Sequence, residues 1–188
     1  MKFKRRDVIQ LTDEEVEYLN SLTMVQQFPD YLQSPTLGSK IKYEIRKETG
    51  GRCLMATEII HKNEIICYGD SSAINKPIRY SYQIDENIHL VGPGGLDHTC
   101  ADPTCIIDSK TNHFIAQRDI KANEFLTFNY LTTEDEINSP FKCLCKSENC
   151  FDLIKGYKFL SNDDKKYIFD HFGLSIYLLK RSKDIINS

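Results

Sequence analysis

The chain has no tryptophan and, in 188 residues, only 9 glycines and 6 prolines. That scarcity excludes a collagen-like repeat and a Gly/Pro-rich low-complexity chain. No apolar run approaches the roughly 18 residues a membrane-spanning helix needs, so no membrane partner is expected. Neither sign of charge dominates, since 24 basic and 27 acidic residues leave a net charge of -3. The broad positive surface of a nucleic-acid-binding protein is therefore not predicted, and direct nucleic-acid binding is not expected. The opening residues, MKFKRRDVIQLTDEEVEYLN, are basic and then amphipathic. They lack the apolar stretch and small-residue cleavage site of a secretory signal, so an intracellular location, cytoplasm or nucleus, is expected. What remains is a globular composition, 40% hydrophobic with 10 Phe and 10 Tyr, long enough to bury a substantial core.

Local patterns predict a mostly β chain with peripheral helices. Thr12 with Glu15 makes a capping box, and Val16, Leu19 and Leu22 then share one helical face, which predicts a helix from about Thr12 to Leu22. The turn-rich stretch from Phe28-Pro29-Asp30 to Ser34-Pro35-Thr36 reads as a connector. Ile41, Tyr43 and Ile45 alternate with polar residues, as do Tyr80, Tyr82 and Ile84, and Ile88 and Leu90 follow the turn Asp85-Glu86-Asn87. Alternation of period two predicts strands. Ser161 or Asn162 can start a C-terminal helix with acidic residues in its first turn. Tyr167, Ile168, Phe172, Ile176 and Leu179 then recur at helical spacing around Gly173. The predicted segments are 1–35 (helix and connector), 36–135 (strands), 136–157 (cysteine-rich) and 158–188 (helical).

The middle of the chain repeats itself once. Ala56, Ile60, Asn63, Glu64 and Ile66 return sixty positions later as Ala116, Ile120, Asn123, Glu124 and Leu126. Each copy reads as a strand, a turn built on Asn-Glu and a second strand. Two hairpins that reach the same local solution explain the echo most simply.

The seven cysteines stand at 53, 67, 100, 105, 143, 145 and 150. An odd number without a secretory signal argues against a disulfide framework and for thiolates that hold a metal. Cys143-Leu-Cys145-Lys-Ser-Glu-Asn-Cys150 places three thiolates within reach of one ion, and soft sulfur ligands favour structural zinc. Cys100 is the best candidate for the fourth ligand, with Cys105 as the substitute.

Four motifs follow in order: Gly50-Gly51-Arg52-Cys53-Leu54; Leu96-Asp97-His98-Thr99-Cys100-Ala101-Asp102-Pro103-Thr104; Glu124-Phe-Leu-Thr127-Phe128-Asn129-Tyr130; and the cysteine cluster. Together they resemble a SET-domain protein lysine methyltransferase with a post-SET zinc motif, over about residues 36 to 157. The resemblance implies a SET fold of small curved sheets with a post-SET zinc loop. It implies methyl transfer from S-adenosyl-L-methionine to lysine side chains of a protein or peptide. By the same resemblance Tyr130 lines the lysine channel and orients the amine, and Gly51, Arg52, Cys53, Leu54, Asp97, His98 and Phe151 face the cofactor. Cys53 stands where the family has its second glycine, Asp97 where it has asparagine, Asn129 where it has aspartate, and Thr104 where it has a final asparagine. An aspartate can accept from an α-ammonium but cannot donate as an amide does. Phe151 has three readings: stacking on adenine, a lid over the channel, or core. The competing class is a catalytically inactive, zinc-stabilised SET-like module that binds proteins, for which Asp97 and Cys53 speak.

Overall fold

Period-two alternation gives way to short strands throughout the middle of the chain. The computed structural model describes residues 8–22, 29–45, 52–68, 71–108 and 110–186. Its elements run β1 (Val8–Ile9), α1 (Asp13–Ser21), β2 (Thr36–Leu37), β3 (Ile41–Ile45), β4 (Arg52–Ala56), β5 (Ile65–Tyr68) and β6 (Ala73–Ile74). Then come β7 (Ser81–Asp85), β8 (Ile88–Val91), β9 (Asp97–His98), β10 (Cys105–Asp108), β11 (His113–Ala116) and β12 (Thr127–Phe128). The chain closes with β13 (Phe141–Lys142), β14 (Leu153–Ile154), α2 (Asn162–Phe172), α3 (Ile176–Arg181) and α4 (Lys183–Ile186).

Among the described residues these strands form two four-stranded sheets, β1-β6-β8-β7 and β10-β11-β5-β2, and three two-stranded pairs, β3-β4, β12-β9 and β13-β14. The predicted capping box is present: Thr12 accepts from the Glu15 N–H, and Glu15 reaches back to the Thr12 N–H at 2.7 Å. Leu19 and Leu22 bury against Ile74, Ile78 and Val91, which seats α1 on the first sheet. Ser161 is the cap of α2. The predicted face of the C-terminal helices breaks at one residue: Ile176 is exposed. Gly173 ends α2 with φ +70, and the non-helical Leu174-Ser175 resets the phase, so that Leu174, Tyr177 and Leu178 bury instead. Tyr80 lies in the turn before β7 rather than in the strand.

The sequence echo becomes a dyad. The two copies do not stand apart as hairpins; they clasp each other. Ile60 and Ile120 exchange both backbone hydrogen bonds, at 3.0 and 2.8 Å. Ala56 donates to Glu124 as Ala116 donates to Glu64, and Asn123 donates to Ala56 as Asn63 donates to Ala116. Both asparagines take the left-handed turn conformation, with φ +71 at Asn63 and +66 at Asn123, which Asn tolerates better than most residues. Each glutamate finds a cation, Glu64 with Lys40 and Glu124 with Arg118. Ala56, Ala116, Ile60, Ile120, Ile66 and Leu126 are all buried in the central core under this clasp.

A second core holds the C-terminal third together. Leu131, Cys100, Cys143, Ile154, Tyr157, Ile168 and Leu178 pack in one cluster, so the helices brace the cysteine-rich segment. Gly156 sits at the tightest point. Its φ of +127 and the approach of Asp135 and Glu136 backbone atoms leave no room for a Cβ. The strap this permits is hydrogen-bonded, Ile137 to Lys155, Tyr157 to Glu134 and Lys158 to Asp135.

Candidate active site and metal centre

The site forms where β9 and β12 lie parallel, with Asp97 beside Thr127 and His98 beside Phe128. That register brings two separate motifs together. Tyr130, just past β12, donates its hydroxyl to the Leu96 carbonyl at 2.5 Å, and its N–H donates to His98 Nδ1 at 3.2 Å. Asn129 is buried, and its Oδ1 accepts the Leu131 N–H at 3.0 Å, which caps the short turn that carries Tyr130. Thr104 holds the base of β12 by accepting from the Thr127 N–H at 2.7 Å and donating to the Thr127 carbonyl at 3.1 Å.

Beside this junction opens a cleft of about 650 Å³, within the range of small-molecule and cofactor sites. Asp97, His98 and Tyr130 line it, together with Tyr80, Tyr82 and Glu134. Burial, with the charges of Asp97 and Glu134, pushes the Tyr130 hydroxyl well above its ordinary value. Burial also pushes the Glu134 carboxyl up to about 8. Its Oε1 accepts from the Gln83 N–H at 3.1 Å and from the Thr133 hydroxyl at 3.3 Å. Among the described residues, no cation pairs with it.

Of the residues predicted to face a cofactor, Gly51 lies outside the described residues. Arg52, Cys53 and Leu54 run along β4 behind the cleft wall. The Arg52 guanidinium stacks 3.3 Å from the Tyr43 ring, and the Leu54 N–H donates to the Gly95 carbonyl at 2.7 Å. Cys53 is buried and has no positive φ, so its Cβ sits without strain in the position of the family glycine. Its thiol donates to Asp97 Oδ2 at 3.2 Å, so two of the departures from the family pattern touch each other. Phe151 lies apart from the cleft, half-buried with its ring near Tyr167. In sequence the alternating Tyr80 and Tyr82 admit two readings, a substrate channel or cross-strand packing, and the packing reading left them out of the predicted site. Glu134 was not legible as a site residue, since it looks like one more acid in Thr-Thr-Glu-Asp-Glu.

The four-cysteine prediction selects Cys100. The sulfurs of Cys100, Cys143, Cys145 and Cys150 all lie within 4.8 Å of one another. Cys100 Sγ is 3.6 Å from Cys143 Sγ and 3.9 Å from Cys150 Sγ. Four sulfurs each about 2.3 Å from a tetrahedral zinc ion would stand about 3.8 Å apart, so this cluster fits that ion. Cys105 belongs elsewhere: it is buried in β10 and donates to the Thr127 carbonyl at 3.2 Å. The donors around the cluster also suit thiolates. Cys100 Sγ receives the Phe151 N–H at 3.5 Å, and Cys143 Sγ receives the Cys145 N–H at 3.4 Å.

A family model described as the SET domain matches residues 51–131, the stretch that contains the β9–β12 junction and Tyr130. Over those residues the chain is similar to a SET domain. Methyltransferase flvH of Aspergillus flavus is 37% identical over 62 residues, which are 32% of this chain and 34% of that protein. The chain thus spans about a third of that relative's length. The methyltransferase domain of human Histone-lysine N-methyltransferase SETMAR superposes with a TM-score of 0.47 at 16% identity, covering 64% of this chain and 59% of that one. The matched stretch supplies Tyr130 and one side of the cleft, while Glu134, residues 137–145 of the cleft lining and three of the four clustered cysteines come from the segment that follows it. No helix among the described residues is long and apolar enough to cross a membrane.

Proposed function

We propose that this SET domain is a protein-lysine N-methyltransferase that uses S-adenosyl-L-methionine, with structural zinc in the four-cysteine site. The observation that carries the reading is Tyr130 at the junction of the two motif strands, its ring on the cleft and its hydroxyl proton committed to Leu96. When bound, the cofactor supplies an electrophilic methyl group on a sulfonium cation. The residues that would hold it are Asp97, which can accept from an α-ammonium, and the backbone around Gly95 and His98.

The chain's own residues account for the rest. A lysine arrives as an ammonium, with a reference pKa near 10.4, and must lose a proton before it can attack. An aromatic cleft disfavours the charged form. Glu134 stands one turn beyond Tyr130, tied to it by the Glu134 N–H on the Tyr130 carbonyl at 3.0 Å. Burial pushes its carboxyl up to about 8, so its ionised form is basic enough to take up the proton that the ammonium sheds. The Tyr130 hydroxyl, already donating to Leu96, presents oxygen lone pairs to a remaining amine N–H and so directs the nitrogen lone pair along the attack line. Its raised pKa keeps the phenol protonated, so it orients and does not act as a base. The clustered thiols suit a reducing intracellular compartment.

The test is a calorimetric titration of reduced, zinc-loaded protein with S-adenosyl-L-methionine, followed by transfer of labelled methyl to lysine-containing protein. Micromolar binding and lysine labelling are expected. Tyr130→Phe should keep cofactor affinity while losing roughly a hundredfold or more in turnover. Absence of binding at millimolar cofactor would overturn the enzymatic reading.

A further inference from the structure

One side chain of the site has partners in two different parts of the molecule. His98 Nδ1 receives the Tyr130 N–H at 3.2 Å, and His98 Nε2 lies 3.3 Å from Cys100 Sγ. A backbone N–H can only donate, so Nδ1 carries no proton. The ring is then the neutral Nε2–H tautomer, and that remaining proton points at sulfur. The contact with Tyr130 thus makes His98 a donor toward the cysteine cluster. Rotation would cost the ring both hydrogen bonds and two edge contacts, with centroids 5.1 Å from Tyr130 and 5.6 Å from Phe141. Phe141 opens β13, two residues before Cys143, so the aromatic contacts tie the same two regions together.

We propose that His98 is a positioning residue that couples the metal state of the four-cysteine site to the placement of Tyr130. The inference rests on the reading of the cysteines as a metal site and of Tyr130 as the group that orients the amine. The path is short and physical. A metal-bound Cys100 thiolate is a fixed acceptor with negative charge, whereas a metal-free thiol is a weak, mobile one. The His98 ring follows that acceptor, and the Tyr130 backbone follows the ring. Donors to a metal ligand characteristically fix its neighbours in this way. The zinc of this site, structural in coordination, then also sets the geometry of the amine-orienting tyrosine.

The experiment uses the full chain loaded with ¹¹³Cd²⁺ in place of zinc and followed by NMR. The expected result is an Nε2-protonated His98, with scalar coupling between its Hε2 and the cadmium across the hydrogen bond to Cys100. Exchange of zinc for the larger cadmium should move the Tyr130 amide resonance in the wild type. In His98→Asn, whose shorter side chain can still accept from Tyr130 but cannot reach Cys100, that movement should fall at least threefold with metal stoichiometry unchanged. An Nδ1-protonated ring, or no coupling to cadmium, would overturn the proposal on the wild type alone, whether or not the variant folds. An equal amide movement in His98→Asn would overturn it too. None of these readouts involves methyl transfer, so a chain that shows the coupling yet transfers no methyl would refute the enzymatic reading and leave the link from the metal site through His98 to the Tyr130 backbone standing.

Discussion

Replacing Gly156 by alanine tests whether the strap behind the cleft is held as tightly as the structure shows. Two costs are separable. The first is conformational: φ +127 with ψ 162 belongs almost solely to glycine, and a Cβ there costs roughly 1–3 kcal/mol. The second is steric: the new Cβ would stand 2.6 Å from Glu136 Cα and 2.9 Å from the Asp135 carbonyl carbon, both backbone atoms that cannot swing aside. Forced overpacking of this kind adds roughly 1–3 kcal/mol. Gly173 supplies the control. Its φ of +70 and ψ of 178 are equally foreign to alanine, but no atom of the described residues lies within 4 Å of its ideal Cβ. The expected destabilisation is therefore about 4 kcal/mol for Gly156→Ala against about 2 kcal/mol for Gly173→Ala. At about 2–4 °C per kcal/mol for a chain of this size, Tm should fall by about 8–16 °C and about 4–8 °C respectively. Thermal unfolding by circular dichroism at fixed metal concentration reads both. Equal shifts in the two variants would refute the close approach of Gly156 to Asp135 and Glu136.

The remaining expectations concern metal, charge and pH. Metal analysis of freshly reduced protein should find one zinc per chain, lost in Cys100→Ser and retained in Cys105→Ser. Glu134→Gln should raise KM for a lysine-containing substrate about tenfold or more and leave cofactor affinity within a factor of two in a binding titration. His89 is buried in β8, its Nδ1 has no hydrogen-bond partner among the described residues, and burial pushes it down to about 4. Because the folded imidazole resists a proton that the unfolded one accepts below about 6.5, stability should fall as pH drops from about 6.5 to 4. The loss is about 3 kcal/mol at most, and denaturant melts of His89→Gln across that window should show a flatter slope.

What the sequence shows of this protein depends on how far each signal reaches along the chain. The α1 capping box was legible because Thr12 and Glu15 are three residues apart and need only each other. The cysteine cluster was legible because ligand chemistry constrains spacing, yet Cys100 and Cys105 could be told apart only once β10 turned Cys105 into the core. Ile176 was misplaced because a two-residue break at Leu174-Ser175 is enough to rotate a helical face. Glu134 has no local signature at all: Tyr130 on one side and the strap through Gly156 on the other make it a cleft residue. Cys53 and Asp97 read as two unrelated departures from a pattern, while in the fold they are a single thiol–carboxylate contact.

The clasp between the echoed segments also has a consequence for how the chain reaches its native state. Ile60 and Ile120 meet across sixty positions, so their reciprocal bonds close a loop whose entropic cost is on the order of 4 kcal/mol before any contact inside it is counted. Each turn closes locally, Glu64 on His61 and Glu124 on Lys121, but the Asn63 and Asn123 amides find their acceptors only in the opposite copy. The clasp should therefore form in one step, late and slowly, as long-range β pairing does. β9 lies inside that loop and β12 directly beyond it, so the clasp draws the chain on either side of the Tyr130–Leu96 contact together. Refolding kinetics should accordingly show the cleft assembling with the slowest phase rather than with the local hairpins.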